Sequence, residues 1–424
     1  MKILLVSAAE AVGSMLPLPL GLASVAAATE IAGHDVRLRV LPPGADWQLQ
    51  IQQAVKSFQP DVVGVSARNI DNQEILSPKF LLADIKTVVS ACRAATTAPI
   101  AVGGAGYSIF PESALAYLGA DIGIQGEGEA AFPGLLVWLQ QGANGVPPPG
   151  VCLPNSRATP RAFVKDLDEL PLPAPELWLH SFDHTSVRVP VQTRRGCNVN
   201  CAYCSTPLIE GIQVRSRSPR AVVRWLEQIQ TRGFTEFYFV DNTFNIPRSY
   251  AKELCREILR SGIDIDWWAI VYPHSVDAEL TELMADAGCS RVSLGFESGS
   301  EPVLRRLNKT FACADVREIA ALFGAAGIER HGFLLLGGPG ETKNTVEESL
   351  CFAESLHLDA LKITVGLRIY PHTPLSSIAA AEGMIRPDDD LLLPRFYLAP
   401  RLSEWLPARV AGLETQLVQH APRA

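Results

Sequence analysis

The chain has 424 residues, 47% of them hydrophobic, with 37 basic against 45 acidic residues and a formal net charge of -8. A globular chain of this length buries a large core and is expected to form two domains and a tail. The acidic balance, without any run of Lys or Arg, excludes an extended nucleic-acid groove and favours small or neutral substrates.

The first 30 residues imitate a secretion signal, because a lysine precedes an apolar run that ends in small residues. Glu10 interrupts that run, and Pro17 and Pro19 break the uncharged stretch. Residues 2 to 7 are better explained as a first buried strand. The odd number of cysteines, nine, and the scatter of six of them favour a reducing compartment over a disulfide framework. We therefore expect a cytoplasmic protein without an integral membrane segment.

Residues 1–142 alternate five times between a short apolar run and a helical pattern, starting with KILLVSA and ending with DIGIQG and its following helix. This alternation predicts an α/β domain of Rossmann-like or flavodoxin-like type, with a parallel sheet covered on both faces. Ligands of such sheets lie beyond the carboxyl ends of the strands. The turns predicted there are residues 66–68, 103–106 and 126–129, and the last two are rich in glycine, so a large ligand can approach the backbone.

Prolines concentrate in residues 143–185, and this segment is predicted to be a stiff linker. From 186 to 375 strand and helix patterns alternate again, with six strands in all, and Gly233, Gly262, Gly288 and Gly327 close four of the five helices. The pattern predicts a partial (β/α)6 barrel of TIM type. Residues 376–424 are predicted to form a short C-terminal tail.

The stretch RGCNVNCAYC places Cys197, Cys201 and Cys204 at C-x3-C-x2-C spacing, in the loop after the first barrel strand. A structural zinc site needs four ligands, and no second pair follows at suitable spacing. Three thiolates can instead hold a [4Fe-4S] cluster with one iron left open. The carboxyl end of a barrel strand is also where barrel active sites are built.

This cysteine motif, with Tyr203 before its last cysteine, resembles the radical S-adenosylmethionine (SAM) superfamily. The resemblance implies that the open iron binds SAM, that an external one-electron reductant such as flavodoxin or ferredoxin supplies the electron, and that SAM is cleaved to a 5'-deoxyadenosyl radical. It also implies that residues at the ends of later strands contact SAM. One of them, Glu297, has an alternative role, which is to cap the next helix. These positions are Tyr203, Asn242, Ser293, Glu297, Gly337 in GFLLLGGPGET, and Arg368 and Tyr370 in GLRIYPHTPL.

One branch of that superfamily, the class B methylases, carries an N-terminal cobalamin (B12)-binding domain, which the first five units resemble. The resemblance implies that Ser66, Gly103, Gly104, Gly126 and Glu127 surround the corrin. The first strand-helix loop lacks the D-x-H-x-x-G histidine that binds cobalt in domains of methionine synthase type. The lower face of cobalt would then be left to water or a nonligating side chain, unless the domain has lost cobalamin.

The resemblance favours methyl transfer from methylcobalamin to an unactivated carbon of a small molecule. A cobalamin-dependent cyclisation or rearrangement without methyl transfer stays open, and so does a nonenzymatic iron-sulfur or cobalamin sensor. A methylthiotransferase would need three cysteines in the first domain, where only Cys92 occurs at an early position. The mean hydropathy of +0.13 and the WWAIVYP strand hint at a lipid, polyketide or tetrapyrrole substrate.

Overall fold

The computed structural model describes residues 1–8, 18–180, 182–184 and 187–420. The predicted loop after the first strand, with its missing histidine, falls at residues 9–17 and lies outside the described residues. In the part of the chain that is described, no helix combines the length and apolarity needed to cross a membrane.

The first domain is a sheet flanked by helices. Its strands are β1 (Lys2–Ala8), β2 (Asp35–Leu41), β3 (Val62–Ser66), β4 (Ile100–Gly103), β5 (Ile122–Ile124) and β6 (Val151–Cys152). Its helices are α1 (Leu20–Ile31), α2 (Trp47–Phe58), α3 (Leu82–Ala95), α4 (Ala105–Ile109), α5 (Pro111–Leu118) and α6 (Gly128–Gln140).

The strand order of this sheet is β2-β1-β3-β4-β5-β6, with β6 alone antiparallel to its neighbour among the described strands. The first five strands follow the flavodoxin-like order, as predicted. Residues of β1 alternate between two cores: Ile3 and Leu5 pack on one face with Leu135 of α6, whereas Leu4 and Val6 join the other core. This alternation explains why a continuous apolar run forms a strand buried on both faces.

Parts of the segment 143–185 are packed against the domains: β6 lies within it, and Trp178 and Leu179 are buried, whereas Val146 is exposed. Trp178 belongs to α7 (Pro175–Trp178) and stacks parallel to Trp225, with ring centroids 6.5 Å apart. The Trp225 indole donates to the carbonyl of Pro173 at 2.8 Å. Pro173 and Trp178 therefore pack against Trp225 of the second domain instead of being exposed to solvent.

The second domain is a six-stranded parallel sheet within the described residues, in the order β14-β13-β12-β11-β10-β7. This sheet confirms the predicted partial barrel. The strands of this half of the chain are β7 (Val189–Val191), β8 (Arg194–Arg195), β9 (Arg215–Ser216), β10 (Glu236–Phe239), β11 (Asp266–Val271), β12 (Cys289–Glu297), β13 (Glu329–Leu336), β14 (Ala360–Val365), β15 (Leu367–Arg368) and β16 (Phe396–Tyr397). The helices are α8 (Thr206–Glu210), α9 (Pro219–Gln230), α10 (Arg248–Ser261), α11 (Ala278–Asp286), α12 (Glu301–Arg306), α13 (Cys313–Ala325), α14 (Lys343–Ser355), α15 (Pro374–Ala381) and α16 (Trp405–His420).

The predicted sixth strand, 360–370, is broken at Gly366, whose φ is +72°. Beyond this glycine the chain turns away as β15, which pairs antiparallel with β16 in the tail. The short elements α4, α8, α12 and the β8–β9 hairpin were not predicted, because two to six residues carry too little periodicity. The four helix-closing glycines at 233, 262, 288 and 327 all have positive φ, which confirms that prediction.

A first prediction concerns the packing of β5. A Cβ atom added at Gly123 would lie 1.7 Å from the hydroxyl oxygen of the fully buried Tyr107. We expect Gly123→Ala to lower the free energy of unfolding by about 1–3 kcal/mol through overpacking. Denaturant titration measures the change, and Gly21→Ala is the control, since nothing lies within 4 Å of its Cβ. Equal stability of the two variants would contradict the packing.

Candidate functional site

A single cavity lies where the carboxyl ends of the first sheet face the second domain. From the first domain it is lined by all five residues predicted to meet the corrin: Ser66, Gly103, Gly104, Gly126 and Glu127. The second domain contributes Gln192, Arg195, Glu210 and Val240 to the same cavity. The residues named from the two domains lie at least 60 positions apart in the sequence, and the fold brings them to the same cavity.

Two glycines at this cavity are required by the backbone. Gly104 has a φ of +110°, and a Cβ atom there would lie 2.7 Å from the carbonyl oxygen of Ala67. Gly126 has a φ of +88°, and its amide donates to the hydroxyl of Ser108 at 2.9 Å. Any side chain at these positions would strain the turn, and at Gly104 it would also push against the neighbouring loop.

The three motif cysteines lie in a loop closed by the β8–β9 hairpin. At Gly196, where φ is +87°, a Cβ atom would lie 2.1 Å from the carbonyl oxygen of Gln213. The Cys197 amide donates to the Gly211 carbonyl at 3.2 Å, and the Ala202 amide donates to the Leu307 carbonyl at 3.0 Å. These two backbone hydrogen bonds tie the loop to Gly211 and to Leu307.

The thiols are half-buried. Burial raises the pKa of Cys201 to about 11 and also raises the pKa of Cys197. Among the described residues, no three His, Cys, Asp or Glu side chains converge on one metal ion. Such convergence is what one zinc ion needs, whereas a [4Fe-4S] cluster takes each thiolate on a different iron.

Tyr203 and Glu297, predicted from separate motifs, contact each other beside this loop. The Tyr203 hydroxyl donates to Oε1 of Glu297 at 2.8 Å, and Lys309 approaches the same oxygen at 3.3 Å. Burial alone would lower the pKa of Lys309, but Tyr203 and Glu297 raise it well above its ordinary value. Helix α12 begins four residues later with Ser300 as its N-cap residue, so Glu297 does not cap it.

Asn242 also lies beside the cysteine loop. Its Nδ2 donates to Oε2 of Glu210 at 2.6 Å, and its Oδ1 accepts from Thr206 at 3.3 Å. Glu210 accepts further hydrogen bonds from the Gly196 amide at 3.0 Å and the Gln192 side chain at 2.8 Å. Burial raises the pKa of this carboxyl. Sequence reasoning missed Glu210, because a lone glutamate in a five-residue helix has no motif around it.

Family models match both halves of the chain. One, the B12 binding domain, matches residues 11–136, and the other, the radical SAM superfamily, matches residues 191–353. The chain thus combines a B12 binding domain with a radical SAM domain. The first match contains β2 to β5 and the second contains β8 to β13, so each lies within one of the two domains and the resemblance inferred from the motifs is confirmed.

Relatives align over nearly the whole chain. An uncharacterised methyltransferase of Pyrococcus horikoshii is 28% identical over 91% of this chain and 84% of its own length. Tryptophan 2-C-methyltransferase of Streptomyces laurentii is 25% identical over 80% of this chain and 67% of its own length. The radical SAM methyltransferase TsrM of Kitasatospora setae superposes with a TM-score of 0.85 at 22% identity, over 97% of this chain and 88% of that one. That likeness establishes the two-domain fold.

Two of the residues predicted to contact SAM, Arg368 and Tyr370, are buried against the first domain. The Arg368 guanidinium is 2% exposed and donates to Asp71 of the B12 binding domain at 2.7 Å and to the Leu391 carbonyl at 2.7 Å. Tyr370 is 7% exposed and packs near Phe110, with ring centroids 6.4 Å apart. Both side chains contact the first domain, and their contact with SAM stays a prediction.

Glu127 lines the cavity, but its carboxylate is committed to the radical SAM domain. Its Oε1 accepts from Arg215 at 2.6 Å and lies 3.4 Å from Arg195, while Oε2 accepts from the Val164 amide at 2.7 Å. Glu129, two residues further along, pairs with Arg195 as well. Burial would raise the pKa of Glu129, but Arg195 holds it below its usual range. The Glu127 carboxylate therefore contacts the other domain. Its place in the cavity lining is the one observation that supports the predicted contact with the corrin.

Ser293 lies deeper than predicted. It is in the middle of β12, opposite Ile270 and His331, four residues before the strand ends at Glu297. At about 3.3 Å per residue this places it roughly 13 Å below the strand end. Since buried residues alternate along β12, Ser293 faces the barrel interior, where it hydrogen-bonds to Tyr238.

Gly337 is held in its turn by Glu341, another residue that sequence reasoning missed. Gly337 has a φ of +97°, and its amide and that of Gly338 both donate to Oε2 of Glu341. The other carboxylate oxygen, Oε1, is buried without a partner. Burial raises the pKa of Glu341 from 4.5 to about 7.

This shift predicts a pH dependence of stability. Folded Glu341 binds its proton more tightly than the unfolded chain does, so its contribution is present below pH 4.5 and is lost as the pH rises through about 7. Glu341→Gln keeps an oxygen for both amides and removes the titration. We expect its unfolding free energy relative to wild type to rise by about 3 kcal/mol between these pH values.

Denaturant titrations across that pH range measure the difference. The exposed Glu348, on α14, gives the control variant Glu348→Gln. A difference between Glu341→Gln and wild type that stays constant with pH would contradict the raised pKa.

Proposed function

We propose that the protein is a cobalamin-dependent radical SAM methyltransferase that moves a methyl group to an unactivated carbon of a small molecule. The observation that carries this proposal is the shared cavity, which loops of the B12 binding domain line together with Arg195 and Glu210 from either end of the cysteine loop. Two cofactors that must act on one substrate need such a common space. A nonenzymatic sensor would not need the strand ends of both domains to face the same cavity.

The residues of the cysteine loop fit a [4Fe-4S] cluster. Cys197, Cys201 and Cys204 would hold it, and Lys309 would place a buried positive charge beside it, 3% exposed and next to Tyr203. Bound at this position, the cluster would supply the electron that cleaves SAM. The half-buried loop limits access of water, and the hairpin fixes the spacing of the thiols.

SAM would lie between this loop and the ends of the barrel strands. Asn242 and Glu297 are the polar side chains that support this position, and both of the interactions described for the Glu297 carboxylate involve Oε1. Gly337 would bring the backbone close to the adenine. Ser293, facing the barrel interior below these residues, would be nearer to the substrate.

Cobalamin would occupy the cavity above Ser66, Gly103, Gly104 and Gly126. Gly104 and Gly126 would leave its floor without side chains, because a Cβ atom at either position is disfavoured. No histidine is among the cavity-lining residues that the structure describes, which is compatible with a lower cobalt face without a protein imidazole.

The substrate class is narrowed by the barrel interior. Tyr238 and Phe333 lie on the partly exposed face of their strands, so they would surround an aromatic or apolar part of the substrate. Lipids, polyketides and tetrapyrroles share this character, and so does tryptophan, which the Streptomyces laurentii relative is named for. An external flavodoxin or ferredoxin would be the electron donor.

Anaerobic reconstitution tests the proposed function. The protein is loaded with iron, sulfide and cobalamin, reduced with titanium citrate, and supplied with SAM carrying a deuterated methyl group. We expect an iron-sulfur absorption band, a bound corrin, and transfer of the label to that corrin, seen by mass analysis. An iron-sulfur band without a retained corrin would remove the methyl-transfer proposal, and a corrin that never takes the label would favour cyclisation or rearrangement.

A further prediction concerns the cysteines themselves. Cys201→Ala should lose most of the bound iron and reduce 5'-deoxyadenosine formation by at least about 100-fold, because the cluster loses one of its three thiolates. Cys351→Ala is the control, since that cysteine is exposed on α14. Iron analysis and chromatography of the nucleoside measure both effects. Equal iron content in the two variants would refute the cluster assignment.

A further inference from the structure

Thr206 is the first residue of α8, and its side chain lies beside the thiol of Cys204. Its Oγ1 is 3.3 Å from Cys204 Sγ, and its backbone nitrogen is 3.5 Å from the same sulfur. The hydroxyl also lies 3.3 Å from Oδ1 of Asn242. With its thiol protonated, Cys204 donates to this hydroxyl, which gives its own proton to Asn242, while the Thr206 amide donates to the sulfur.

The surroundings fix the direction of these bonds. A metal-bound thiolate carries no proton, so Cys204 can only accept hydrogen bonds when it is a ligand. Asn242 cannot turn its amide nitrogen towards Thr206 without losing its bond to Glu210 at 2.6 Å. Glu210 is itself held by the Gly196 amide and by Gln192. The single hydroxyl proton of Thr206 thus has two possible acceptors, Oδ1 of Asn242 and the deprotonated sulfur. The sulfur competes better for this proton when the cluster is reduced, because it then gains negative charge.

We infer that Thr206 sets the reduction potential of the cluster by donating hydrogen bonds to Cys204 Sγ. Hydrogen bonds to cluster sulfurs are a principal determinant of such potentials, since they stabilise the more negative, reduced form. The inference rests on the proposed cluster at Cys197, Cys201 and Cys204. Thr206 is a positioning residue here, because it acts through the ligand and does not touch the substrate.

Thr206→Val is the direct test, because valine has the shape of threonine and keeps the backbone donor while it removes the hydroxyl. We expect the ratio of reduced to oxidised cluster at a fixed potential to fall about tenfold. For a one-electron couple this equals a potential about 59 mV lower. Redox titration followed by electron paramagnetic resonance (EPR) measures it on the cluster-loaded protein without SAM.

Two further variants make the result specific. Thr206→Ser keeps the hydroxyl and should retain the wild-type potential. Thr231→Val removes a threonine hydroxyl that bonds to the Gln228 carbonyl at 2.7 Å at the exposed end of α9, and should have no effect. A potential for Thr206→Val equal to wild type, at equal cluster content, would overturn the inference while leaving the proposed function intact.

If Thr206→Val fails to hold a cluster, the wild-type protein provides the second measurement. Electron-nuclear double resonance of its reduced cluster in H2O and in D2O should reveal two exchangeable protons coupled to the cluster, from the amide and the hydroxyl of Thr206. Detection of the amide proton alone would overturn the inference. Failure of wild-type protein to bind any cluster would instead refute the proposed function, so the two failures are distinguishable.

Discussion

Buried ion pairs between the two domains are the interaction on which the rest of the structure depends. Arg195 and Arg215, on the two strands that close the cysteine loop, pair with Glu127 and Glu129 at the start of α6. A second buried pair, between Asp71 and Arg368, joins the domains at the other side. Replacing one partner of such a pair costs about 3–5 kcal/mol, because the other charge stays buried. The pairs therefore hold the two sets of strand ends face to face.

This constraint connects the two cofactor sites. The turn that lines the corrin cavity at Gly126 continues directly into the glutamates that bind the arginines of the cysteine loop. A displacement of either loop would break charge-assisted hydrogen bonds that water cannot replace inside the protein. The structure thus holds the two proposed cofactor sites in a fixed relation through buried Arg–Glu pairs.

The sequence predicted much of this arrangement, and its failures have physical causes. Strand-helix alternation and turn glycines are local signals, so both sheets and the clustering of Ser66, Gly103, Gly104 and Gly126 followed from them. Arg368 and Tyr370 were assigned from motif position, and no local pattern encodes the domain interface that both side chains contact. Glu210, Lys309 and Glu341 are lone charged residues, and only tertiary contacts reveal that they are buried beside the site.

The central claim is that both cofactors share one cavity between the domains. EPR spectroscopy of protein loaded with cobalamin in its Co(II) state and with a reduced cluster tests this claim most directly, because both centres are then paramagnetic. The account predicts that each signal is broadened by the other, and that the broadening disappears when either centre is made diamagnetic. Two unbroadened, additive spectra from fully loaded protein would contradict it.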